Sequence, residues 1–297
     1  MTGPRGLLLL DKPSGPTSHD MVYALRRGAH EKRVGHAGTL DPLATGLLVL
    51  CLGTATRLSE YLAGKDKRYT ARVRLGQATT TYDAQGDMTA ESADLPERAA
   101  VEAALEPFRG PQRQVPPQFS AIKRGGQKAY EVARRGAHIE LEPRPVEFYE
   151  ITLVAWQPPE LSLDVHCSAG TYIRSLAHDL GQALGCGAHL AGLRRTASGT
   201  FRIEEAVTLD ALTAAFERGP QAWQQYLRPP DAALSDWPAL HLTAEAARQV
   251  LRGQAVRLGA VTSEHARAYN PAGEFFAILR GDPAAGVWRP HKVFSEG

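Results

Sequence analysis

Cysteine is scarce in this chain, with only Cys51, Cys167 and Cys186 among 297 residues, far apart and odd in number. No C-x-x-C pair occurs, which excludes the common zinc and dithiol redox motifs and points to a reducing cytoplasm with no structural metal. Long apolar runs are also lacking. The N-terminal run Leu7 to Leu10 gives way at once to Asp11, Lys12 and Pro13, too short for a signal peptide or a membrane span, so no membrane association is expected. There is no internal repeat and no low-complexity tract.

A large excess of one charge is missing as well: 34 Lys and Arg face 32 Asp and Glu, a formal net charge of +2. The charge is unevenly spread, however. Residues 1–75 hold 12 basic against 6 acidic side chains, and residues 109–135 hold 7 against 1. Concentrated positive charge of this kind suits a polyanion, because neutralising phosphates releases counterions, although a basic patch also steers small anions.

With 43% hydrophobic and 22% charged residues, the chain can bury an ordinary globular core, and its length favours one large domain plus a small one. LLLLDKP reads as a buried strand, followed by a helix from about Ser18, its cap, with Met21, Val22 and Leu25 on one face. GHAGTLDPLATG (35–46) reads as a loop running into the strand LLVLCLG and then a helix capped by Thr54. From Tyr69 the alternation of Tyr69, Ala71, Val73 and Leu75 with polar residues predicts a half-buried strand. Residues of about 109–145, rich in Pro, Gly and basic side chains, read as an insert. VEFYEITLVAWQ and ELSLDVHCSAG predict a hairpin, and YIRSLAHDLGQALG a helix with Arg174 in its first turn. The Pro-rich stretch RPPDAALSDWP marks a boundary, giving domains of 1–230 and 231–297, the second a helix followed by the strands AVRLG, ARAYN, EFFAILRG and VWRPHKVF.

Asp41 is the residue with the most chemical promise, held between glycines on a loop and biased toward extended backbone by Pro42. Taken alone, an Asp-Pro in a loop reads as a turn former, and Arg174 as a surface charge or phosphate contact. The wider constellation changes that. Residues 11–13 (DKP), 35–46 (GHAGTLDPLATG), 65–69 (KDKRY), 167–174 (CSAGTYIR) and 187–195 (GAHLAGLRR) resemble, in order and spacing, the bacterial TruB-type tRNA pseudouridine synthases. The likeness spans residues of about 5 to 210.

The resemblance implies an α+β fold: a catalytic domain around a long, mostly antiparallel mixed sheet flanked by helices and loops, with a small, mostly-β PUA-like RNA-binding domain at the C-terminus. It implies isomerisation of uridine 55 in the T-loop of tRNA by a monomer that needs no cofactor, no metal and no guide RNA. Asp41 becomes the catalytic aspartate, Tyr69 stacks on the base and handles a proton, and Arg174 ion-pairs with Asp41. His36 helps extrude the base, Tyr172 and Leu193 line the uracil pocket, and Lys12 and Pro13 support the site. An arginine in contact lowers an aspartate pKa. Lys123, Arg124 and Lys128 of the insert would clamp the T-arm stem-loop. Whether Asp41 adds to C1′ or removes the C2′ proton is left open. A non-catalytic RNA-binding protein, a nucleosidase with two opposed carboxylates and a guide-dependent relative are the competing readings.

Overall fold

The computed structural model describes residues 3–294 except 121–122, 125–126 and 129–139, and gives only the backbone at 123–124 and 127–128. Among these, a sheet of eleven strands forms the main body. Its central order is Val207–Thr208, Gly6–Lys12, Thr45–Leu52, Ala188–Ser198, Lys67–Leu75, Glu160–Cys167, Arg144–Gln157 and Gly110–Gln114. Neighbours are antiparallel except where Thr45–Leu52 meets Ala188–Ser198 and where Gly6–Lys12 meets Val207–Thr208.

The two apolar runs form strands buried on both faces, which is why they do not alternate with polar residues. Leu8, Leu10, Leu48, Leu50 and Leu52 face the cluster completed by helix Ser18–Ala29 through Met21, Val22 and Leu25, and by helix Ile173–Ala183 through Leu176 and Leu180. Leu7, Leu9, Leu47, Val49 and Cys51 face the other side, against Ala55, Leu58 and Leu62. Strand Lys67–Leu75 alternates as read, with Tyr69, Ala71, Val73 and Leu75 inward. The hairpin joining Arg144–Gln157 to Glu160–Cys167 is present.

The C-terminal residues form a four-stranded sheet, Ala239–His241, His265–Tyr269, Phe275–Asp282 and Val287–Val293, with helix Ala244–Leu251 and a small core around Val250, Ala266, Leu279 and Trp288. Ile278 and Phe294 join the main body's second apolar layer, so the two sheets share a packed face. The segment 255–259, read as a strand, supplies a single bridge from Val256 to Trp288. Only Val256 in it is buried, so nothing extends the ladder.

Two caps differ from expectation. Thr17, one residue earlier than read, caps helix Ser18–Ala29 in a reciprocal capping box with Asp20, which frees the Ser18 hydroxyl for another use. Residues Gly53–Leu58 form a 3₁₀ helix and Ser59–Ala63 a short α-helix, with no side-chain cap at the start of either; Thr54 does not serve as one.

Candidate active site

Strand Val34–Ala37 pairs antiparallel with Thr45–Leu52, so the loop between them is shorter than the Gly-rich stretch suggested, 38–44. Its ends demand glycine. Gly38 has φ 90° and Gly46 φ 98°, a region open to glycine, and a Cβ on Gly46 would lie 2.3 Å from the carbonyl oxygen of Arg195. The strand Ala188–Ser198 therefore passes hard against the loop's base.

Three buried polar side chains fix this loop from outside. The Ser18 hydroxyl donates to the Leu40 carbonyl at 2.9 Å and accepts from the Leu40 amide at 2.8 Å. Lys12, fully buried, donates to the carbonyls of Pro13 and Pro16 at 2.8 and 2.7 Å, and more distantly to Pro42 at 3.4 Å. Burial pulls the Lys12 ammonium down to about 8, against the pull of nearby Asp41. Arg195 is 1% exposed and donates from Nε to the Leu47 carbonyl at 2.6 Å and from Nη2 to the Gly38 carbonyl at 3.0 Å.

So held, Asp41 meets Arg174 Nε at 3.0 Å through Oδ2. Arg174 projects from the first turn of helix Ile173–Ala183, and its remaining nitrogens face Asp83 Oδ2 at 3.6 Å, the Thr81 carbonyl at 3.4 Å and the Phe119 carbonyl at 3.1 Å. Burial raises the Asp41 pKa above the usual aspartate value; Arg174 opposes this and Asp83 reinforces it. The lowering expected from the arginine is thus outweighed: protein surrounds the carboxylate on the cavity wall, although its side chain stays 41% exposed to the cavity, and a second carboxylate shares the guanidinium.

These groups open into a cavity of about 660 Å³ lined by Asp41, Tyr69, Asp83, Tyr172, Leu193 and Arg195, among others, a volume suited to a small ligand or a single extruded base. Tyr69 is 8% exposed, and burial raises its phenol pKa while Arg195, its cross-strand neighbour, pulls it back. Tyr172 precedes the helix; its backbone N–H donates to Gln114 Oε1 at 2.7 Å and its carbonyl accepts from Gln114 Nε2 at 3.0 Å.

Asp41, Tyr69, Arg174, Tyr172 and Leu193 thus come together, and Lys12 and Pro13 support the loop from behind. His36 does not join them. It lies within strand Val34–Ala37 opposite Leu50, outside the cavity lining, with Nδ1 buried and unpartnered, and burial lowers its pKa. The side chains of Lys123, Arg124 and Lys128 lie outside the described residues; their backbone forms the small ladder Lys123–Arg124 with Gln127–Lys128. The stem of this insert touches the site directly, through Phe119 on Arg174 and through the Val115 carbonyl, which accepts from Ser175 Oγ at 2.8 Å.

Sequence reasoning missed Asp83, Arg195 and Ser18. Asp83 lies in the polar stretch TTTYDAQGD, which gives no periodic signal, and nothing in the string GAHLAGLRR sets Arg195 apart from Arg194. Among the described residues no group of three or more His, Cys, Asp or Glu is arranged to hold a metal ion, and no helix is long and apolar enough to cross a membrane.

Comparison with known proteins places the chain in a family. The model for the TruB family pseudouridylate synthase N-terminal domain matches residues 26–173, and that for the tRNA pseudouridylate synthase B C-terminal domain matches 174–235. The tRNA pseudouridine synthase B of Burkholderia lata is 45% identical over 294 residues, covering 97% of this chain and 89% of that protein. That of Pseudomonas paraeruginosa is 47% identical over 253 residues, covering 85% and 83%. Among solved structures, a chain of a Cbf5-Nop10-Gar1 complex superposes with a TM-score of 0.75 at 27% identity, covering 98% of this chain and 85% of that one. The matched residues carry Asp41, Tyr69 and Arg174 together, and the chain belongs to the TruB family of pseudouridylate synthases.

Proposed function

We propose that this protein isomerises uridine 55 in the T-loop of tRNA to pseudouridine, acting as a monomer without guide RNA or cofactor in a reducing cytoplasm. The observation that carries this reading is the Asp41 carboxylate, ion-paired with Arg174 at 3.0 Å and facing a cavity walled by Tyr69. The reaction breaks the N1–C1′ bond, turns the base and joins C5 to C1′. A carboxylate serves it either by adding to C1′ or by removing the C2′ proton. Both roles need the ionised form, which Arg174 favours against burial.

The target base is inaccessible while stacked, so it leaves the T-loop to enter the cavity. Tyr69 presents its ring to the base and its phenol takes part in moving the proton that leaves C5, while Tyr172 and Leu193 bound the pocket. His36, on the strand leading to the loop, would act from outside the cavity by filling the space of the extruded nucleotide. The basic insert, through Lys123, Arg124 and Lys128, clamps the stem-loop. Residues 1–230 form the catalytic domain and 231–297 a PUA-like RNA-binding domain, a reading supported by the separate C-terminal sheet.

The test is to map modified positions in a tRNA transcript incubated with the protein. Pseudouridine at position 55 alone, abolished when that uridine is replaced by cytidine, is expected; modification elsewhere would reassign the substrate, and tRNA binding with no modification would favour a non-catalytic role.

A further inference from the structure

Arg195 is a buried cation whose described hydrogen-bond partners are neutral. Its Nε and Nη2 meet only the carbonyls of Leu47 and Gly38, and no described carboxylate forms an ion pair with it. A guanidinium cannot shed its proton to escape burial. Lys67, 5% exposed, also donates only to carbonyls, those of Leu62, Ala63 and Lys65, and burial pulls its ammonium down to about 8 while nearby Asp66 opposes this. The two meet around one residue, since a Cβ on Gly38 would lie 3.5 Å from Arg195 Nη1 and 3.6 Å from Lys67 Cε.

Lys67 and Tyr69 share the inward face of one strand, Arg195 is the cross-strand partner of Tyr69, and all three line the cavity. The cavity's carboxylates, Asp41 and Asp83, both face Arg174. The wall around Tyr69 therefore carries positive charge that no carboxylate of the cavity lining pairs. Such a wall is preorganised for a ligand that becomes negative in place.

We propose that Arg195 and Lys67 form an electrostatic cradle for the uracil base while it is detached from the sugar. The idea rests on the reading above and extends it to the base. If Asp41 adds to C1′, a C–O bond forms as the N1–C1′ bond breaks and its electron pair leaves on N1. If Asp41 takes the C2′ proton, that C–H pair becomes the C1′–C2′ double bond and N1 again departs with its pair. In both cases the free base is an anion, its charge shared between N1 and the carbonyl oxygens. On return C5 attacks C1′, expelling the carboxylate or recovering the proton at C2′; C5 then loses its proton and N1 gains one.

The test compares single-turnover loss of the target nucleoside from tRNA carrying uridine or 5-fluorouridine, with wild type, Arg195→Met and Lys67→Met. Fluorine withdraws electrons from the departing base, so its anion needs less help from the protein. Arg195→Met is expected to slow the uridine substrate about 100-fold and the fluorinated one at least tenfold less, with tRNA affinity unchanged within twofold. Equal losses on both substrates would reduce Arg195 to a brace for the loop and overturn the proposal, as would a tenfold loss of tRNA affinity, the mark of a phosphate contact. Lys67→Met leaves the Arg195 contacts to the loop in place and must show the same substrate dependence at smaller amplitude, which keeps the proposal falsifiable if Arg195→Met fails to fold. A wild type that modifies neither substrate would instead sink the assigned reaction.

Discussion

Asp83 meets Arg174 through Nη1 at 3.6 Å while Nε of the same guanidinium serves Asp41 at 3.0 Å. One arginine thus orients the proposed catalytic carboxylate and is itself held by a second, buried carboxylate. Asp83→Asn keeps the shape and removes the charge that anchors the guanidinium. A small misplacement of a reacting group costs orders of magnitude in rate, so kcat is expected to fall about 10- to 100-fold with tRNA affinity unchanged. Steady-state kinetics alongside a binding titration would check this, and a change confined to affinity would contradict it.

The raised pKa of Asp41 has consequences for both rate and stability. Activity on the acid side should rise with a midpoint above the ordinary aspartate value of 3.8. For stability, a folded-state pKa above the unfolded one means the native chain binds more protons in that window, so stability is lost as pH rises through it. Asp41→Asn should therefore melt no lower than wild type at pH 7, with any advantage shrinking as the pH approaches 4. Melting curves across that range are the measurement; an Asn variant destabilised at pH 7 would show that the Arg174 pairing outweighs burial.

Ser18 both donates to and accepts from Leu40. Ser18→Ala leaves two buried backbone groups unpaired, each worth about 1–3 kcal/mol. It should lower the unfolding free energy by about 2 kcal/mol or more and reduce kcat by loosening the Asp41 loop, both visible in a denaturant titration paired with an assay. Full activity would mean the loop is fixed by Lys12 and Arg195 alone.

Much of this was readable from residues. The apolar runs, the alternation from Tyr69 and the helical spacing of Ile173, Leu176 and Leu180 reflect local periodicity, which survives in one dimension. Asp41, Tyr69 and Arg174 were found because they sit in strings of restricted residue choice. What escaped depends on long-range register. Arg195 acts on Gly38 and Leu47, about 150 positions away, only because Ala188–Ser198 lies beside Thr45–Leu52. Ser18 looked like a cap because Thr17 beside it has the same chemistry, and His36 looked like a loop residue because β pairing of Val34–Ala37 has no apolar alternation to betray it.

The basic insert carries its own prediction. Replacing Lys123, Arg124 and Lys128 together with Ala should weaken tRNA binding and flatten the slope of log affinity against log salt by up to about 2.7 units, since each phosphate contact contributes about 0.7–0.9. Affinity measured between 50 and 200 mM salt, on the order of the range where such slopes are resolved, decides it; an unchanged slope would remove the clamp from the account.

The most direct test of the whole account is tritium release from tRNA carrying tritium at uridine C5, with wild type and Asp41→Asn compared in single turnover. Joining C5 to C1′ must expel that hydrogen. Stoichiometric release by wild type, slowed at least about 1000-fold in the Asn variant while tRNA binding persists, is the predicted result; equal release by both would contradict the central role of Asp41.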